Sequence, residues 1–547
     1  MNISNGIKIV EGVALGKLRF YRAPFRETNP APADDPVYEQ VRFESARKTV
    51  LAQRRAMKDR VRDSLGEKEA AIFEVHEMLL EDPRFIQKCE DLIMEQRRRA
   101  DLAVNLVLDS LAQDFREIDD PVFGARSADV QDLKKAMLDV LSGVENEWEH
   151  SETPVIIAAQ ELTPSQLFNL DRDKLLGIVT QGGSQYSHVA ILAKSLNIPT
   201  LIGCMDLSRD WDGLDAALDT YEEHLYIEPT AEVKRILIQK QEIERENKLR
   251  LCMLKGQGNT TIDGHAVKIW ANIGSPQDVA AVLDNDADGI GLFRTEFLYM
   301  GRDDEPSEFE QFQAYKSVLE ALGPRKVIIR TCDLGSDKLP DYLYHQKEEN
   351  PALGCRGIRF CLTRRDLFKR QLRAILRASV FGNPGIMLPM VVDVKEIMMT
   401  KALIEQCCDE LKKDGLEYKV PDMGVMIETP AAALCADELA KESDFFSLGT
   451  NDLTQYALAM DRQTPGMERA WDAHNPAVFK LIEMAVNAGH AADIPVGMCG
   501  ELAADLDVTA KLLQIGVDVL SVDPATVLPL RQHIRGINLE ESDTLSS

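Results

Sequence analysis

Between residues 268 and 524 the chain returns eight times to a short apolar segment, each bounded by helix-like sequence. The segments are Lys268–Gly274, Gly289–Phe297, Val327–Gly335, Gly385–Asp393, Met423–Pro430, Phe445–Leu453, Pro495–Leu502 and Val517–Pro524. Short apolar runs between amphipathic stretches are the pattern of buried parallel strands with helical crossovers. Eight such alternations in roughly 290 residues are what a (β/α)8 barrel requires, with an open doubly wound sheet as the alternative.

Upstream the texture differs. Residues 1–20 read as a short β segment, with Ile7, Ile9 and Val10 ahead of Gly12 and Gly16. From about Asp34 to Glu149 apolar residues recur at helical spacing, as in Ala71, Ile72, Val75, Met78 and Leu79. Asp34-Asp35-Pro36 predicts the first helix start, an acidic cap ahead of a first-turn proline. From Pro154 β/α alternation begins, with strands at Val155–Ala158 and Leu175–Thr180 and a helix from Ser187 to Leu196. A charged helical stretch over 231–255 separates this unit from the eightfold region.

Composition narrows the class. With 63 Lys+Arg against 90 Asp+Glu the net charge is −27, so the average field repels nucleic acid and anionic membrane surfaces. No apolar run approaches the ~18 residues of a spanning helix, and Met1–Lys8 lacks a secretory pattern. Ten scattered cysteines, without metal-type spacing, fit free thiols in a reducing cytoplasm.

In a barrel, functional side chains gather where strands end. Arg294, Arg330, Glu428, Asn451, Asp452, Cys499 and Glu501 all fall at or near such ends. Asp333 and Lys338 follow the third segment, Arg356 and Arg359 lie between the third and fourth, and Arg462 lies ten residues past Asp452. Guanidinium forks at 294, 330 and 462 suit a small polyanion. Glu428 and Asp452 supply hard oxygen ligands suited to Mg2+, which takes one or two carboxylates plus water and substrate oxygens. A single arginine is ordinarily a surface ion pair; the set at successive strand ends is not. A lone cysteine is ordinarily a small buried hydrophobe, but Cys499 sits in Gly-Met-Cys-Gly-Glu at a strand end and suits a general acid.

A second candidate lies in the middle unit. Strand Leu175–Thr180 runs through Gly182-Gly183 to His188 at a helix start. That end favours anions and disfavours imidazolium, leaving a neutral, nucleophilic ring nitrogen.

These residues carry a resemblance. Gly-Gly-Ser-Gln-Tyr-Ser-His-Val-Ala-Ile-Leu-Ala-Lys resembles the phosphohistidine motif of phosphoenolpyruvate-utilising phosphotransferases. Residues 286–297, 447–456 and 497–501 resemble the barrel signatures of the same family. The chain has no room for the ATP-binding domain of the dikinase and synthase branches. Its 34–149 region, with Ala71-Ile72-Phe73-Glu74 through Leu80-Glu81-Asp82, instead resembles the subdomain that docks HPr, the histidine-containing phosphocarrier protein. The resemblance therefore points to the branch that opens the bacterial sugar phosphotransferase system.

It implies a multidomain α/β protein with four parts. Residues 1–20 and 150–228 would form a swivelling phosphohistidine domain, and 21–149 an inserted helical subdomain for HPr. Residues 229–255 would be a helical linker, and 256–540 a phosphoenolpyruvate-binding (β/α)8 barrel that also dimerises. It implies phosphoryl transfer from phosphoenolpyruvate through His188 to HPr, with release of pyruvate. Cys499 would be the proton donor. Arg294, Arg330, Asn451, Asp452, Arg462, Lys338, Arg356 and Thr163 would contact substrate, and Glu428 and Asp452 would hold Mg2+. The implied partners are phosphoenolpyruvate, HPr and a second copy, with neither nucleic acid nor membrane insertion. One departure stands out: the family pattern Gly-Gly-x-Thr-Ser-His is filled here with Ser184 and Tyr186 ahead of the histidine. A sensor that binds without turnover, or a phosphotransferase with another acceptor, are the competing readings.

Overall fold

The computed structural model describes residues 2–21, 31–65, 67–116, 121–143, 153–163, 166–167, 170–183, 188–300, 302, 304–335, 341–343, 348–461 and 471–542. The chain forms two compact units, residues 1–247 and 248–547.

The first unit is built on an eight-stranded sheet. Its strands are β1 (Asn2–Asn5), β2 (Ile7–Val10), β3 (Val13–Phe20), β4 (Val155–Ala159), β5 (Leu175–Thr180), β6 (Thr200–Ile202), β7 (Asp215–Asp219) and β8 (His224–Ile227). They lie in the order β1-β8-β7-β3-β4-β5-β6-β2. The first 20 residues thus hold three strands, not one segment, and two of them sit at the ends of that order. Glycines divide them. A Cβ at Gly6 would lie 2.5 Å from Cys204 Sγ and 2.8 Å from the Ile202 carbonyl oxygen. Gly12 turns the chain at φ +149, in space closed to side chains.

Strand β3 pairs in parallel with β4, Lys17 opposite Val155, so the intervening helices are an insertion into this sheet. They are α1 (Pro36–Leu65), α2 (Glu67–Glu81), α3 (Pro83–Met94), α4 (Ala100–Arg116) and α5 (Pro121–Ser142). As the sequence predicts, Pro36 opens α1 and Asp35 Oδ1 accepts from the backbone N–H of Val37 (3.0 Å) and of Tyr38 (3.2 Å). Phe43, Val50, Leu80, Cys89, Ile93, Val104, Leu108 and Leu133 form the core among these helices. Further along come α6 (His188–Leu196) and α7 (Ala231–Cys252). The charged helix α7 buries Leu237, which packs against Val13 and Ala217 of the sheet.

The second unit is a closed barrel of eight parallel strands, which decides against the open sheet. Its strands are β9 (Lys268–Ile273), β10 (Ile290–Phe293), β11 (Lys326–Arg330), β12 (Asn383–Leu388), β13 (Asp422–Ile427), β14 (Phe446–Leu448), β15 (Val496–Met498) and β16 (Val519–Val522). All eight predicted segments hold a strand, but the strands stop earlier than the apolar pattern does. The chain leaves β14 at Leu448 and is helical from Thr450, whereas the pattern runs to Leu453. Leu453 is fully buried, but on a helix packed against the barrel, so its hydrophobicity carries no strand signal.

The side chains facing the lumen form their own cluster of Leu292, Ile328, Met387, Met426, Phe445 and Cys499, with Trp270 against it. Large rings are seated on glycines: a Cβ at Gly424 would lie 2.5 Å from the Phe445 ring, and one at Gly291 3.2 Å from the Trp270 indole. Alternating large and small residues fill the barrel as interdigitated layers.

Candidate active site

Cavities open at both mouths of the barrel. One, of about 340 Å³, lies at the N-terminal mouth, where Lys326 and Asp422 pair with each other near Lys268 and Trp270. The other, of about 530 Å³, lies at the C-terminal mouth and is lined by Arg294, Arg330, Arg356, Glu428, Asp452 and Cys499, among others. The second has the position and the charge that barrel chemistry uses.

Most of these side chains arrive at or just past strand ends, and Arg356 comes from the long connection between β11 and β12. Arg294 is the first residue after β10; its backbone N–H donates to the Ile273 carbonyl at 3.0 Å. Its side chain is exposed in the cavity and makes no ion pair among the described residues. Arg330 closes β11 and is gripped from two sides: Nη2 donates to Glu296 Oε1 at 3.0 Å, and Nη1 lies 3.1 Å from Asp333 Oδ2. Its Nε is buried and has no acceptor among the described residues. Arg356 donates from Nη2 to Asp333 Oδ2 at 3.0 Å, with Nη1 3.6 Å from Asp452 Oδ1. Asp333 therefore ties two arginines together, and Glu296 fixes the first of them.

Glu428 follows β13 and is 1% exposed. Its Oε1 accepts from the Met390 N–H at 2.6 Å. Met390 holds φ at +59, an uncommon conformation for a bulky residue and a modest cost retained where it aims a donor into the site. Burial pushes the Glu428 pKa well up, and repulsion from Asp452 and Asp333 adds to it against the pull of Arg330 and Arg356. Burial opposes the Arg330 charge in turn, but Glu296, Asp333 and Glu428 outweigh it and raise that pKa. Gly449 permits the approach to Glu428, because a Cβ there would lie 2.9 Å from Oε2.

Asn451 and Asp452 lie in the first turn of the helix after β14. Asn451 Nδ2 donates to Glu501 Oε1 at 2.9 Å, and Asn451 Oδ1 accepts from the Glu501 N–H at 2.8 Å. Cys499, one residue past β15, is 5% exposed. Its Sγ accepts from Ser447 Oγ at 3.3 Å, and its carbonyl is held by Asn272 Nδ2 at 3.2 Å. Burial raises the thiol pKa, the Ser447 hydrogen bond works against that, and the Glu428 charge raises it further. The thiol is thus kept protonated at neutral pH.

The structure gathers nine sequence-predicted residues at this cavity: Arg294, Arg330, Asp333, Arg356, Glu428, Asn451, Asp452, Cys499 and Glu501. Lys338 and Arg462 lie outside the described residues. Glu296, Ser447 and Met390 had no role in the sequence reading. Glu296 stands two residues after Arg294 inside a quoted motif, so proximity was the available signal; the Met390 contribution is a backbone N–H, invisible in side-chain chemistry.

In the first unit, His188 is the first residue of α6, while its side chain and residues 184–187, with Ser184 and Tyr186, lie outside what is described. The approach to it is fixed by Thr180 Oγ1, which donates to the Gly182 carbonyl at 2.7 Å, and by Gly183 at φ +109. Thr163 is buried and caps a local turn, its Oγ1 accepting from the Gln166 N–H at 3.3 Å.

Three family models match in series: the N-terminal domain of phosphoenolpyruvate-utilising enzymes over residues 5–126, their mobile domain over 151–223, and their phosphoenolpyruvate-binding domain over 249–539. The chain belongs to the phosphoenolpyruvate-utilising enzyme family. A protein of Staphylococcus carnosus named phosphoenolpyruvate-protein phosphotransferase is 39% identical over 547 residues, covering 99% of this chain and 95% of the relative. One of the same name from Haemophilus influenzae is 38% identical, again over 99% of this chain and 95% of its own length. Among solved structures, an enzyme I structure titled nEIt is 26% identical with a TM-score of 0.40, over 44% of this chain and 99% of that one.

Proposed function

We propose that the chain transfers the phosphoryl group of phosphoenolpyruvate, through a phosphohistidine at His188, to the carrier HPr, and so opens a sugar phosphotransferase system. The observation that carries this reading is the convergence of Arg294, Arg330 and Arg356 with Glu428, Asp452 and Cys499 on one cavity.

Arg294 and the buried Nε of Arg330, neither with an acceptor among the described residues, suit the phosphate and carboxylate of the substrate, with Arg462 and Lys338 as further cationic contacts. Asn451 and Arg356 border the same space. A ring nitrogen of His188 forms a bond to phosphorus as the bridging P–O bond breaks, and the electron pair leaves on the enolate. The Cys499 Sγ–H then protonates the enolate carbon, giving pyruvate. Thr163 belongs on the histidine's side of this assignment. Discharge of His188 to HPr completes the cycle.

The residues fit a divalent cation. Glu428 and Asp452 are two carboxylates that repel one another in a buried setting, a repulsion that Mg2+ would relieve. Mg2+ ordinarily takes one or two protein carboxylates, with water and substrate oxygens completing its shell. Mg2+ supplies charge neutralisation on the substrate oxygens.

In this reading residues 1–20 and 150–228 are the swivelling phosphohistidine domain, 21–149 the HPr-docking subdomain, 229–255 the linker and 256–540 the catalytic and dimerising barrel. The β3–β4 pairing across the helical insertion supports the first two. Ten free cysteines support a cytoplasmic setting, and no helix among the described residues is long and apolar enough to cross a membrane. The homodimer rests on family membership.

The test is a pulse and chase. Radiolabelled phosphoenolpyruvate with Mg2+ should load the protein with acid-labile label, and added HPr should remove it. No label would end the enzymatic reading. Label that HPr leaves in place would point to another acceptor.

A further inference from the structure

We infer that Glu296 is a positioning residue for the phosphoenolpyruvate reaction, acting through Arg330; this rests on the function proposed above. The side chain of Arg330 is 11% exposed and that of Glu296 21%, so the pair works mostly out of water. One carboxylate oxygen, Glu296 Oε1, accepts both from Arg330 Nη2 at 3.0 Å and from the Asp333 backbone N–H at 3.1 Å. It therefore fixes the guanidinium and, at the same time, the start of the loop whose Asp333 side chain holds the other Nη.

The consequence is geometric. With both terminal nitrogens taken by carboxylates, rotation of the guanidinium about its long axis is blocked and Nε is left as the donor without an acceptor among the described residues. An arginine held in one orientation spends less conformational entropy when an anion binds. A second layer fixes the element that carries Glu296. Thr295 Oγ1 donates to the Arg330 carbonyl at 2.9 Å, and Gln371 Nε2 donates to Thr295 Oγ1 at 3.1 Å. Glu296 thus joins the end of β10 to the end of its neighbour β11 at the catalytic mouth, and its charge partly neutralises a cation that must still attract a polyanion. Such a residue is worth keeping only if orientation matters more than raw positive charge.

Three substitutions test this in the full-length protein, each assayed for phosphoenolpyruvate-dependent labelling beside wild type and each measured for its thermal midpoint. Glu296→Ala should lower kcat/KM for phosphoenolpyruvate by about tenfold or more, the scale of one charge-assisted hydrogen bond. Glu296→Gln keeps an acceptor oxygen at the same reach and should recover most of that loss. Glu296→Asp, shorter by one methylene, should not. Kinetic constants unchanged in Glu296→Ala, or a Gln variant as poor as the Ala variant, would overturn the inference. So would a loss of activity that merely tracks a fallen thermal midpoint in all three. Failure of the wild type to label would instead strike at the proposed function, so the two failures are distinguishable.

Discussion

At the residue scale Glu428 is a carboxylate buried beside two others. Its pKa is raised, so its charge opposes folding: the associated stability is present below its ordinary value of 4.5 and is lost as pH rises towards the folded-state value. Glu428→Gln should therefore raise the thermal midpoint in metal-free buffer at neutral pH, and the gap from wild type should widen as pH climbs from about 4.5. The same substitution should reduce phosphoenolpyruvate-dependent labelling by roughly a hundredfold or more, the loss expected when a charge-stabilising group at a reacting centre is removed. Parallel melting curves and labelling rates check both. A variant that melts lower would mean that Glu428 is held by partners that outweigh its burial. Residues of this kind were legible in the sequence because each ends an apolar run with a charge. Ser447, Glu296 and the Met390 N–H were not, because their importance lies in what they touch: Cys499, Arg330 and Glu428.

At the element scale one buried arginine ties the helix that follows the last barrel strand to the chain ahead of the first strand and to the turn before the second. Arg531, on the helix Val527–Ile534, is 1% exposed. It donates to Asn259 Oδ1 at 2.6 Å, to the Leu254 carbonyl at 2.9 Å, and to the side chain and carbonyl of Asp286 at 2.6 and 2.7 Å. Arg531→Ala should cost about 3–5 kcal/mol in denaturant unfolding, since it strands buried acceptors. Burial pushes the Asp286 carboxyl up, but the Gly256 N–H and Arg531 prevail and hold it below its ordinary 3.8. A depressed carboxylate contributes stability above its unfolded value and loses it as pH falls through the folded one. The stability difference between wild type and Asp286→Asn should accordingly be flat above about pH 4 and shrink below it. A difference that grows in acid would contradict the clasp. None of these contacts was visible in the sequence, where Arg531 and Asp286 stand 245 positions apart. The strands themselves were visible, from their apolar period, and their ends were not: residues such as Leu453 stay apolar after the chain has turned into a helix.

At the scale of the molecule the net charge of −27 is unevenly spread. Residues 63–149 carry 22 Asp+Glu and 10 Lys+Arg, a net of −12. Part of that acid is engaged within the helices: Glu81 pairs with Arg55 at 2.7 Å and Asp109 with Lys134 at 2.5 Å. The net excess is a field that would steer a carrier with a basic docking face, and HPr is the proposed one. The second-order rate of phosphoryl transfer to HPr should then fall steeply as salt rises from about 50 to 500 mM, with transfer from phosphoenolpyruvate to the protein much less affected. A transfer rate indifferent to salt would return the acidity to a role in solubility alone.

Phosphoryl transfer through His188 is a covalent step, and locating the phosphoryl group tests it most directly. Wild-type protein, loaded with phosphoenolpyruvate and Mg2+ and digested at alkaline pH, should carry one phosphoryl group on the peptide containing His188. That group should vanish on addition of HPr and be absent from His188→Ala. A phosphoryl group on any other residue, or one that persists in His188→Ala, would contradict the account.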